Sequence, residues 1–283
     1  MIIWTGWQAF SITCKRPSTN LSLLSIQSAS LEFDSKRLWH ELSLEVGAGE
    51  FVALIGPNGS GKSMLLKSIV GTQQLSGGKI SFLGGEPGSH NSQLGYIPQH
   101  RATDAGLPLR VSDCVGFGLD GHLLGLPISS VPRRQKITEA LEKVDAAHLA
   151  QESLGSLSGG EMQRVRVAQA IISKPKLLLA DEPLSALDLN HQMRISELID
   201  QQRRELGSAV VFVTHDLNPI IDFVDRVIYI AQGRHTIGTP DEVMRSEVLS
   251  ELYGADIDVV RNQGRVVVLG AHDHDHHEDE RWH

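Results

Sequence analysis

The feature that most constrains the fold is an eight-residue glycine-rich segment between two apolar stretches. Residues 56–63 read Gly-Pro-Asn-Gly-Ser-Gly-Lys-Ser, which fits the pattern G-x-x-x-x-G-K-[ST] of a phosphate-binding loop. Residues Phe51 to Ile55 before it are typical of a buried strand, and Met64 to Val70 after it are typical of a helix that ends at Gly71. Strand, glycine loop and helix in this order predict an α/β fold with a polyphosphate site at the helix N terminus.

Two side chains of this segment have predicted roles in such a site. The glycines allow consecutive backbone N–H groups to surround a phosphate group. Lys62 would reach the β- and γ-phosphates of a nucleotide, and the Ser63 hydroxyl would bind Mg²⁺. The alternative interpretation is a glycine turn that binds nothing.

Composition narrows the class of protein. The chain has 283 residues, of which 41% are hydrophobic and 21% are charged, as in one large globular domain or two small ones. The sequence has no apolar run of about 18 to 20 residues, the length that spans a bilayer, so a role at a membrane requires a partner. Cys14 and Cys114 have no metal-ligand spacing and fit a reducing cytosol. The net charge of −8 argues against a general nucleic-acid binder.

Hydrophobic patterns predict two kinds of β-structure. Short apolar runs alternate with polar residues between Leu21 and Val46 and again from Lys79 to Leu83, which is typical of antiparallel strands. Continuous apolar runs at Leu177–Ala180, Ala209–Val213 and Val227–Ile230 are typical of parallel strands buried on both faces. We therefore expect a P-loop NTPase core with a mostly parallel sheet, joined to an antiparallel β subdomain and a helical insertion.

The chain divides into four parts. Residues 1–22 form a leader that we expect to be flexible, and residues 23–252 form the main domain. A helical insertion at about residues 105–160 has Ile137, Ala140, Leu141 and Val144 on one face. Residues 253–270 form a β-hairpin, in which Ile257–Val260 and Arg265–Leu269 flank a turn at 262–264, and residues 271–283 form a tail rich in histidine and acid.

Paired carboxylates follow one of the predicted parallel strands. Asp181 could hold Mg²⁺ through water beside the glycine loop, and Glu182 could orient and deprotonate an attacking water molecule. Paired acids at a strand end also occur as ordinary surface residues, so this pair decides nothing by itself.

A second glycine-rich segment, residues 157–161 (Leu-Ser-Gly-Gly-Glu), precedes a predicted helix. Ser158 and Glu161 have the spacing of a capping box, and the simplest interpretation is a well-capped helix. The other interpretation is a second anion site at a helix N terminus. One chain does not readily bring this segment to the same phosphate as residues 56–63, whereas a head-to-tail dimer does.

Two further polar residues follow predicted strands. His215 comes after the strand at Ala209–Val213, where a histidine by itself is more often structural. Gln99 lies on the loop that leads into the helical insertion. Its carboxamide can contact both Mg²⁺ and the attacking water, so its position could report the nucleotide state to the insertion.

These features, in this order, resemble the nucleotide-binding subunit of an ATP-binding cassette (ABC) transporter over roughly residues 23–252. The Leu-Ser-Gly-Gly-Glu segment is the family's most specific mark. The resemblance implies ATP and Mg²⁺ as cofactors and hydrolysis between two copies of the chain. It also implies a membrane permease, an extracytoplasmic solute-binding protein, and a position on the cytoplasmic face of the cell membrane.

The resemblance also implies a role for individual residues. Phe33 would stack on adenine, Gln99 and His215 would act beside Glu182, and Asp181 would hold Mg²⁺ with Ser63 and Gln99. The loop that binds ATP would comprise Gly56, Pro57, Asn58, Gly59, Ser60, Gly61, Lys62, Ser63 and Met64. The signature segment, which contacts the partner's ATP, would comprise Leu157, Ser158, Gly159, Gly160 and Glu161. The D-loop across the dimer interface would comprise Ser185, Ala186, Leu187 and Asp188. Two departures stand out, since Met64 replaces the usual threonine and Glu161 replaces the common glutamine.

The transported solute is predicted from two features. The C-terminal segment from Leu252 and the run from Thr214 to Pro219 resemble ATPase subunits of zinc or manganese importers. The tail carries histidines that could bind such ions weakly, or could simply be solvated: His272, His274, His276, His277 and His283. The alternatives are an importer of iron–siderophore complexes or cobalamin, a soluble ABC ATPase of DNA repair or translation, and a metal-storing protein or metallochaperone.

Overall fold

The computed structural model describes residues 22–33, 36–99, 109–121, 130–262 and 264–270. It contains eleven β-strands and seven α-helices within these residues. The strands are β1 (Leu24–Phe33), β2 (Lys36–Val46), β3 (Phe51–Ile55), β4 (Gly77–Phe82), β5 (Leu94–Ile97), β6 (Leu177–Asp181), β7 (Ala209–Val213), β8 (Arg226–Ala231), β9 (Arg234–Gly238), β10 (Ile257–Asn262) and β11 (Arg265–Gly270). The helices are α1 (Lys62–Val70), α2 (Val111–Asp120), α3 (Val131–Lys143), α4 (Gly159–Ile171), α5 (Leu189–Leu206), α6 (Pro240–Val243) and α7 (Ser246–Tyr253).

The strands form three sheets. The largest has the order β5-β6-β7-β3-β8-β9, in which every neighbouring pair is parallel except β8 and β9. An antiparallel sheet of three strands has the order β2-β1-β4, and β10 pairs with β11 as an antiparallel hairpin. The predicted α/β fold, with a mostly parallel sheet, an antiparallel subdomain and a helical portion, is confirmed.

The central strand β3 shows why the apolar runs are continuous. All five of its side chains are buried, and successive side chains point to opposite faces of the sheet. Phe51, Ala53 and Ile55 belong to the core cluster that the helices α2 to α5 share, whereas Val52 and Leu54 belong to the cluster between the two larger sheets. Helices cover one face and the antiparallel sheet covers the other, so polar positions are excluded from the strand.

Residues Val111 to Ile171 contribute three of the helices. In α3, Ile137, Ala140 and Leu141 are buried, as is Val144 just after the helix, which confirms the predicted apolar face. Helix α2 packs against α3 and α4. The residues at 105–108 and 122–129 of the predicted insertion lie outside the described part of the chain.

The predicted hairpin is present, and each of its strands is one or two residues longer than the pattern indicated. The predicted leader, apart from residue 22, and the predicted tail lie outside the described residues. Within the described ranges, none of the helices combines the length and apolar character required to cross a membrane.

Candidate active site

Strand order places the predicted site residues at one edge of the large sheet. Strands β5, β6, β7 and β3 are neighbours and run parallel, so their carboxyl ends meet at the same edge. Ligand sites in sheets of this type lie outside these carboxyl ends. Gln99, His215 and the glycine loop 56–61 follow β5, β7 and β3, and Asp181 is the last residue of β6, which explains how residues far apart in the sequence share one site.

Two positions of the glycine loop exclude a side chain, because the backbone there has a positive φ and a neighbour lies too close. Gly56 has φ 150°, and a Cβ atom there would lie 2.0 Å from the carbonyl oxygen of Ile230. Gly61 has φ 95°, and a Cβ atom there would lie 2.9 Å from the indole nitrogen of Trp39. The loop therefore passes close to its neighbours, and its path turns directly into α1, which begins at Lys62 rather than at Met64.

The side chain of Lys62, the first residue of α1, folds back over the glycine loop. Its Nζ donates to the carbonyl oxygens of Gly56 at 2.7 Å and Pro57 at 3.0 Å, and the residue is 6% exposed. Burial lowers the pKa of Lys62, while the nearby carboxylates of Glu182 and Asp181 act in the opposite direction. The ammonium group is therefore positioned where a phosphate group held by the loop would meet it.

Ser63 and Asp181 form the part of the site that suits a divalent cation. The Ser63 Oγ donates to Asp181 Oδ1 at 3.0 Å, and Asp181 is 3% exposed. Burial raises the pKa of Asp181, and the hydrogen bond from Ser63 opposes this effect. A hydroxyl and a carboxylate oxygen are ligands that Mg²⁺ prefers, and a cation between them would also offset the cost of burying the carboxylate.

Glu182 lies between two neighbouring loops. Gln99 Nε2 donates to Glu182 Oε2 at 3.1 Å, and His215 Nδ1 lies 4.0 Å from the same oxygen. Glu182 has φ 49°, and its backbone N–H donates to the Val213 carbonyl of the adjacent strand β7 at 3.0 Å. These contacts position Glu182 from both neighbouring strands. Its side chain is 14% exposed, and it lines the cleft.

These residues surround one cleft of about 710 Å³. Its lining comprises Leu38, Gly56, Pro57, Asn58, Gly59, Gly61, Lys62, Ser63, Met64, Gln99, Glu182 and His215. Leu38 lines the cleft, whereas Phe33, which the sequence led us to expect there, is absent from the lining. Phe33 is 51% exposed at the end of β1 and does not line the cleft. Its role in adenine stacking stays a prediction.

Two further residues, Trp39 and Ser60, contribute to the loop in ways that the motif alone does not predict. Trp39 is fully buried, and its Nε1 donates to the Gly61 carbonyl at 3.4 Å. Ser60 Oγ is buried and has no hydrogen-bond partner within the described structure. A bound phosphate oxygen would supply that partner, so the loop fits a polyphosphate. Trp39 was not predicted, because a tryptophan on an alternating strand indicates only burial.

The signature segment caps a helix, as predicted. Ser158 Oγ accepts from the Glu161 N–H at 3.3 Å, and Glu161 Oε2 accepts from the Ser158 N–H at 2.8 Å and from its hydroxyl at 2.7 Å. These two bonds hold the pKa of Glu161 below its ordinary value. Leu157 packs against the core. The segment is absent from the cleft lining, so the fold of one chain leaves the two glycine-rich segments apart.

The predicted D-loop lies beside the signature segment of the same chain. A Cβ atom at Gly160 would lie 3.2 Å from the carbonyl oxygen of Ala186 and 3.7 Å from Leu187. Ser185 Oγ donates to the Glu182 carbonyl at 3.0 Å, which connects the D-loop to the end of β6. Asp188 caps α5 by accepting from the His191 N–H at 3.0 Å.

Among the described residues, no cluster of three or more histidine, cysteine, aspartate or glutamate side chains could hold a metal ion. The histidines of the tail and Cys14 lie outside those residues. Burial raises the pKa of Cys114 to about 11, so this thiol is poorly suited to bind a metal or to act as a nucleophile.

Comparison with known proteins agrees with this geometry. Residues 39–185, slightly more than half of the chain, match the family model described as "ABC transporter". The chain belongs to the ABC transporter family. An ATPase of this family binds and hydrolyses ATP, so the predicted nucleotide and the predicted reaction are confirmed.

Several members of the ABC family resemble the chain over most of its length. The zinc import ATP-binding protein ZnuC of Yersinia pestis is 34% identical over 258 residues, which cover 91% of this chain and 92% of the relative. ZnuC of Yersinia enterocolitica is 33% identical over 258 residues, with 91% and 93% covered.

Solved structures of ABC proteins share the fold. An ABC transporter described as of metal-chelate type, in an inward-facing conformation, has a TM-score of 0.74 at 25% identity, with 89% of this chain and 99% of that chain covered. A dimeric ATP-binding cassette in a post-hydrolysis state, bound to ADP and Pi, has a TM-score of 0.69 at 26% identity, with 76% and 98% covered.

Proposed function

We propose that the chain hydrolyses ATP to power a membrane permease that imports a divalent metal ion, zinc or manganese. The geometry that supports hydrolysis is the convergence of Gln99 and His215 on Glu182, beside Lys62 and the Ser63–Asp181 pair. The similarity to zinc import ATP-binding proteins over 91% of the chain supports the cargo.

Each residue has a proposed part in the reaction. The loop N–H groups and Lys62 bind the phosphates, and Ser63, Asp181 and Gln99 would hold Mg²⁺, which would neutralise phosphate charge when bound. Glu182 orients a water molecule and takes its proton as the water oxygen bonds to the γ-phosphorus. The bond from that phosphorus to the bridging oxygen breaks, and ADP and phosphate leave. His215 acts beside Glu182, whose carboxylate it faces at 4.0 Å.

A second copy of the chain completes the site in this proposal. Ser158, Gly159 and Gly160 of each copy would contact the γ-phosphate held by the other copy, with the D-loop residues Ser185 to Asp188 between the two sites. The dimeric cassette bound to ADP and Pi supports this arrangement, as does the separation of the two glycine-rich segments within one chain. Closure and reopening of the pair would act on the permease through Gln99 and the helical insertion.

The subunit would sit peripherally on the cytoplasmic face of the cell membrane, and a solute-binding protein on the other side would deliver the metal to the permease. Purification of the chain from membranes together with a permease would support this location. Recovery of the chain without any membrane partner would instead support a soluble ABC ATPase.

Uptake measurements test the proposed cargo. Cells that lack this chain should lose uptake of radioactive Zn²⁺ or Mn²⁺, and the native chain should restore it. A chain with Glu182→Gln should bind ATP normally but hydrolyse it about 100-fold or more slowly, and it should not restore uptake, because the general base is gone. Glu197→Gln, the same change at an exposed residue of α5, is the matched control. Normal turnover in Glu182→Gln would overturn the assignment of the base.

A metal-chelate importer is the second candidate, because the ABC transporter with a TM-score of 0.74 is described as of that type. The same strains distinguish the two. Loss of ferric-siderophore or cobalamin uptake with normal Zn²⁺ and Mn²⁺ uptake would favour the chelate importer.

We also propose that His272, His274, His276 and His277 bind Zn²⁺ or Mn²⁺ weakly, as imidazole is a common ligand of zinc. Metal titration of the full chain, compared with a chain in which these four residues are asparagine, tests this proposal. Identical isotherms at micromolar metal would contradict it.

A further inference from the structure

The loop that carries His215 is tied to the C-terminal hairpin by one side chain. Asn218 Oδ1 accepts from the Val266 N–H at 2.8 Å, and Asn218 Nδ2 donates to the Val266 carbonyl at 3.0 Å. The carboxamide thus pairs with both polar groups of one residue in β11, as a neighbouring strand would. We call this contact the Asn218–Val266 pair.

Hydrogen bonds between residues that are close in sequence connect Asn218 to the backbone on both sides of His215. Asp216 Oδ1 accepts from the Asn218 N–H at 2.9 Å and from Asn218 Nδ2 at 2.7 Å. Thr214 Oγ1 donates to the Asp216 carbonyl at 2.7 Å and accepts from the Asp216 N–H at 3.1 Å. His215 lies between these bonded residues, so its backbone cannot shift without breaking some of them.

The side chain of His215 has little support of its own. It is 66% exposed, and its described charged neighbour is Glu182 at 4.0 Å. The position of the imidazole therefore depends on the backbone of the loop, which the Asn218–Val266 pair holds at one end and strand β7 at the other.

The hairpin itself is fixed to the body by its other strand. In β10, the N–H groups of Ile257 and Val259 donate to the hydroxyls of Ser250 and Ser246, each at 2.9 Å. Both serines belong to α7, which follows the large sheet. The hairpin consequently connects α7 to the His215 loop, and its side chains Ile257 and Val266 are buried in the same core cluster.

We propose that Asn218 is a positioning residue for ATP hydrolysis and that the hairpin Ile257–Gly270 is the element through which it acts. This inference rests on the proposed role of His215. Without the pair, the loop would relax and the imidazole would leave Glu182. Because small displacements at a reacting site can cost up to about 100-fold in rate, loss of the contact between Asn218 and Val266, which are 48 positions apart in the sequence, should be measurable in kcat.

Three variants of the full chain test the proposal. Asn218→Ala removes the carboxamide, and Val266→Pro removes the N–H that Asn218 accepts from. We expect each to lower kcat about tenfold with less than a twofold change in KM for ATP, since neither group touches the nucleotide loop. Val268→Pro is the control for a proline in the same strand, because its N–H points to the same edge of β11 and meets no described side chain. Its kcat should equal that of the native chain.

Rates should be normalised to the concentration of protein that binds ATP, measured by calorimetry, so that partial unfolding does not count as lost catalysis. The decisive arm places Asn218→Ala in a His215→Ala chain. If Asn218 acts through His215, the double variant should hydrolyse ATP at the same rate as His215→Ala alone. A further tenfold loss there, or a kcat for Asn218→Ala within twofold of native, would overturn the proposal. Normal turnover in Glu182→Gln would instead refute the proposed function.

Discussion

The two glycine-rich helix ends of this chain are built differently. Helix α1 begins after Gly61, with no side-chain cap and no acidic residue in its first turn. Helix α4 begins after Ser158, which forms a capping box with Glu161. A helix N terminus without a side-chain acceptor favours an anion from outside, whereas a capped one already has an acceptor for part of its free N–H groups. The first end is therefore prepared to bind phosphate within one chain.

The capped end has to change when it meets a phosphate. The Ser158 hydroxyl donates to the Glu161 carboxylate at 2.7 Å, so it must leave that bond in order to donate to a partner's nucleotide. We infer that the α1 end determines how tightly one chain binds ATP, and that the α4 end determines how readily two chains close. Substitutions at the two helix ends should separate these two contributions.

Lys62→Ala should have the largest effect on the α1 end. We expect ATP affinity to fall about 10- to 100-fold, because a charge-assisted hydrogen bond to phosphate is lost, worth about 1.5–3 kcal/mol. Calorimetry on the isolated chain measures this affinity, and Lys79→Ala, at an exposed position of β4, is the control. Unchanged affinity in Lys62→Ala would remove the α1 end as the nucleotide site.

Glu161→Gln should have a smaller effect than Lys62→Ala, and it should change only the association of two chains through the α4 end. The amide oxygen can still accept from Ser158, but the negative charge that a partner's γ-phosphate would meet is gone. We expect ATP-dependent association to tighten about fivefold, equivalent to about 1 kcal/mol, with unchanged ATP affinity of the isolated chain. The gain should shrink at high salt. Analytical ultracentrifugation measures it, and weaker association would contradict the charge argument.

Local patterns in the sequence predicted the parts of the fold that depend on short separations. The Ser158–Glu161 capping box follows from helix geometry over three residues, and the glycine loop follows from its own eight. The Ser63–Asp181 contact joins residues 118 positions apart, and it could be anticipated because carboxyl ends of parallel strands share an edge.

Other contacts could not be predicted, because no pattern of residue types in the sequence indicates them. The Asn218–Val266 pair uses backbone groups of Val266, which every residue except proline offers. The contact of Trp39 with the Gly61 carbonyl likewise depends on how the antiparallel sheet packs against the P-loop. Helix α1 begins two residues earlier than its apolar pattern indicated, because Lys62 and Ser63 are polar but already helical.

We propose that each ATP is bound between the α1 end of one chain and the α4 end of another. Gly159→Asp tests it directly in a chain that also carries Glu182→Gln, so that bound ATP persists. An aspartate in the first turn suits the helix dipole and should leave α4 folded, but its charge would oppose a partner's phosphate. Gly159→Asn supplies the same shape without the charge.

Light scattering with and without MgATP measures the mass of each variant and so distinguishes a monomer from a dimer. We expect a monomer without nucleotide, a dimer with MgATP for Glu182→Gln alone and with Gly159→Asn, and a monomer that still binds ATP with Gly159→Asp. A Gly159→Asp chain that dimerises on MgATP as readily as its parent would contradict the binding of each ATP between two chains.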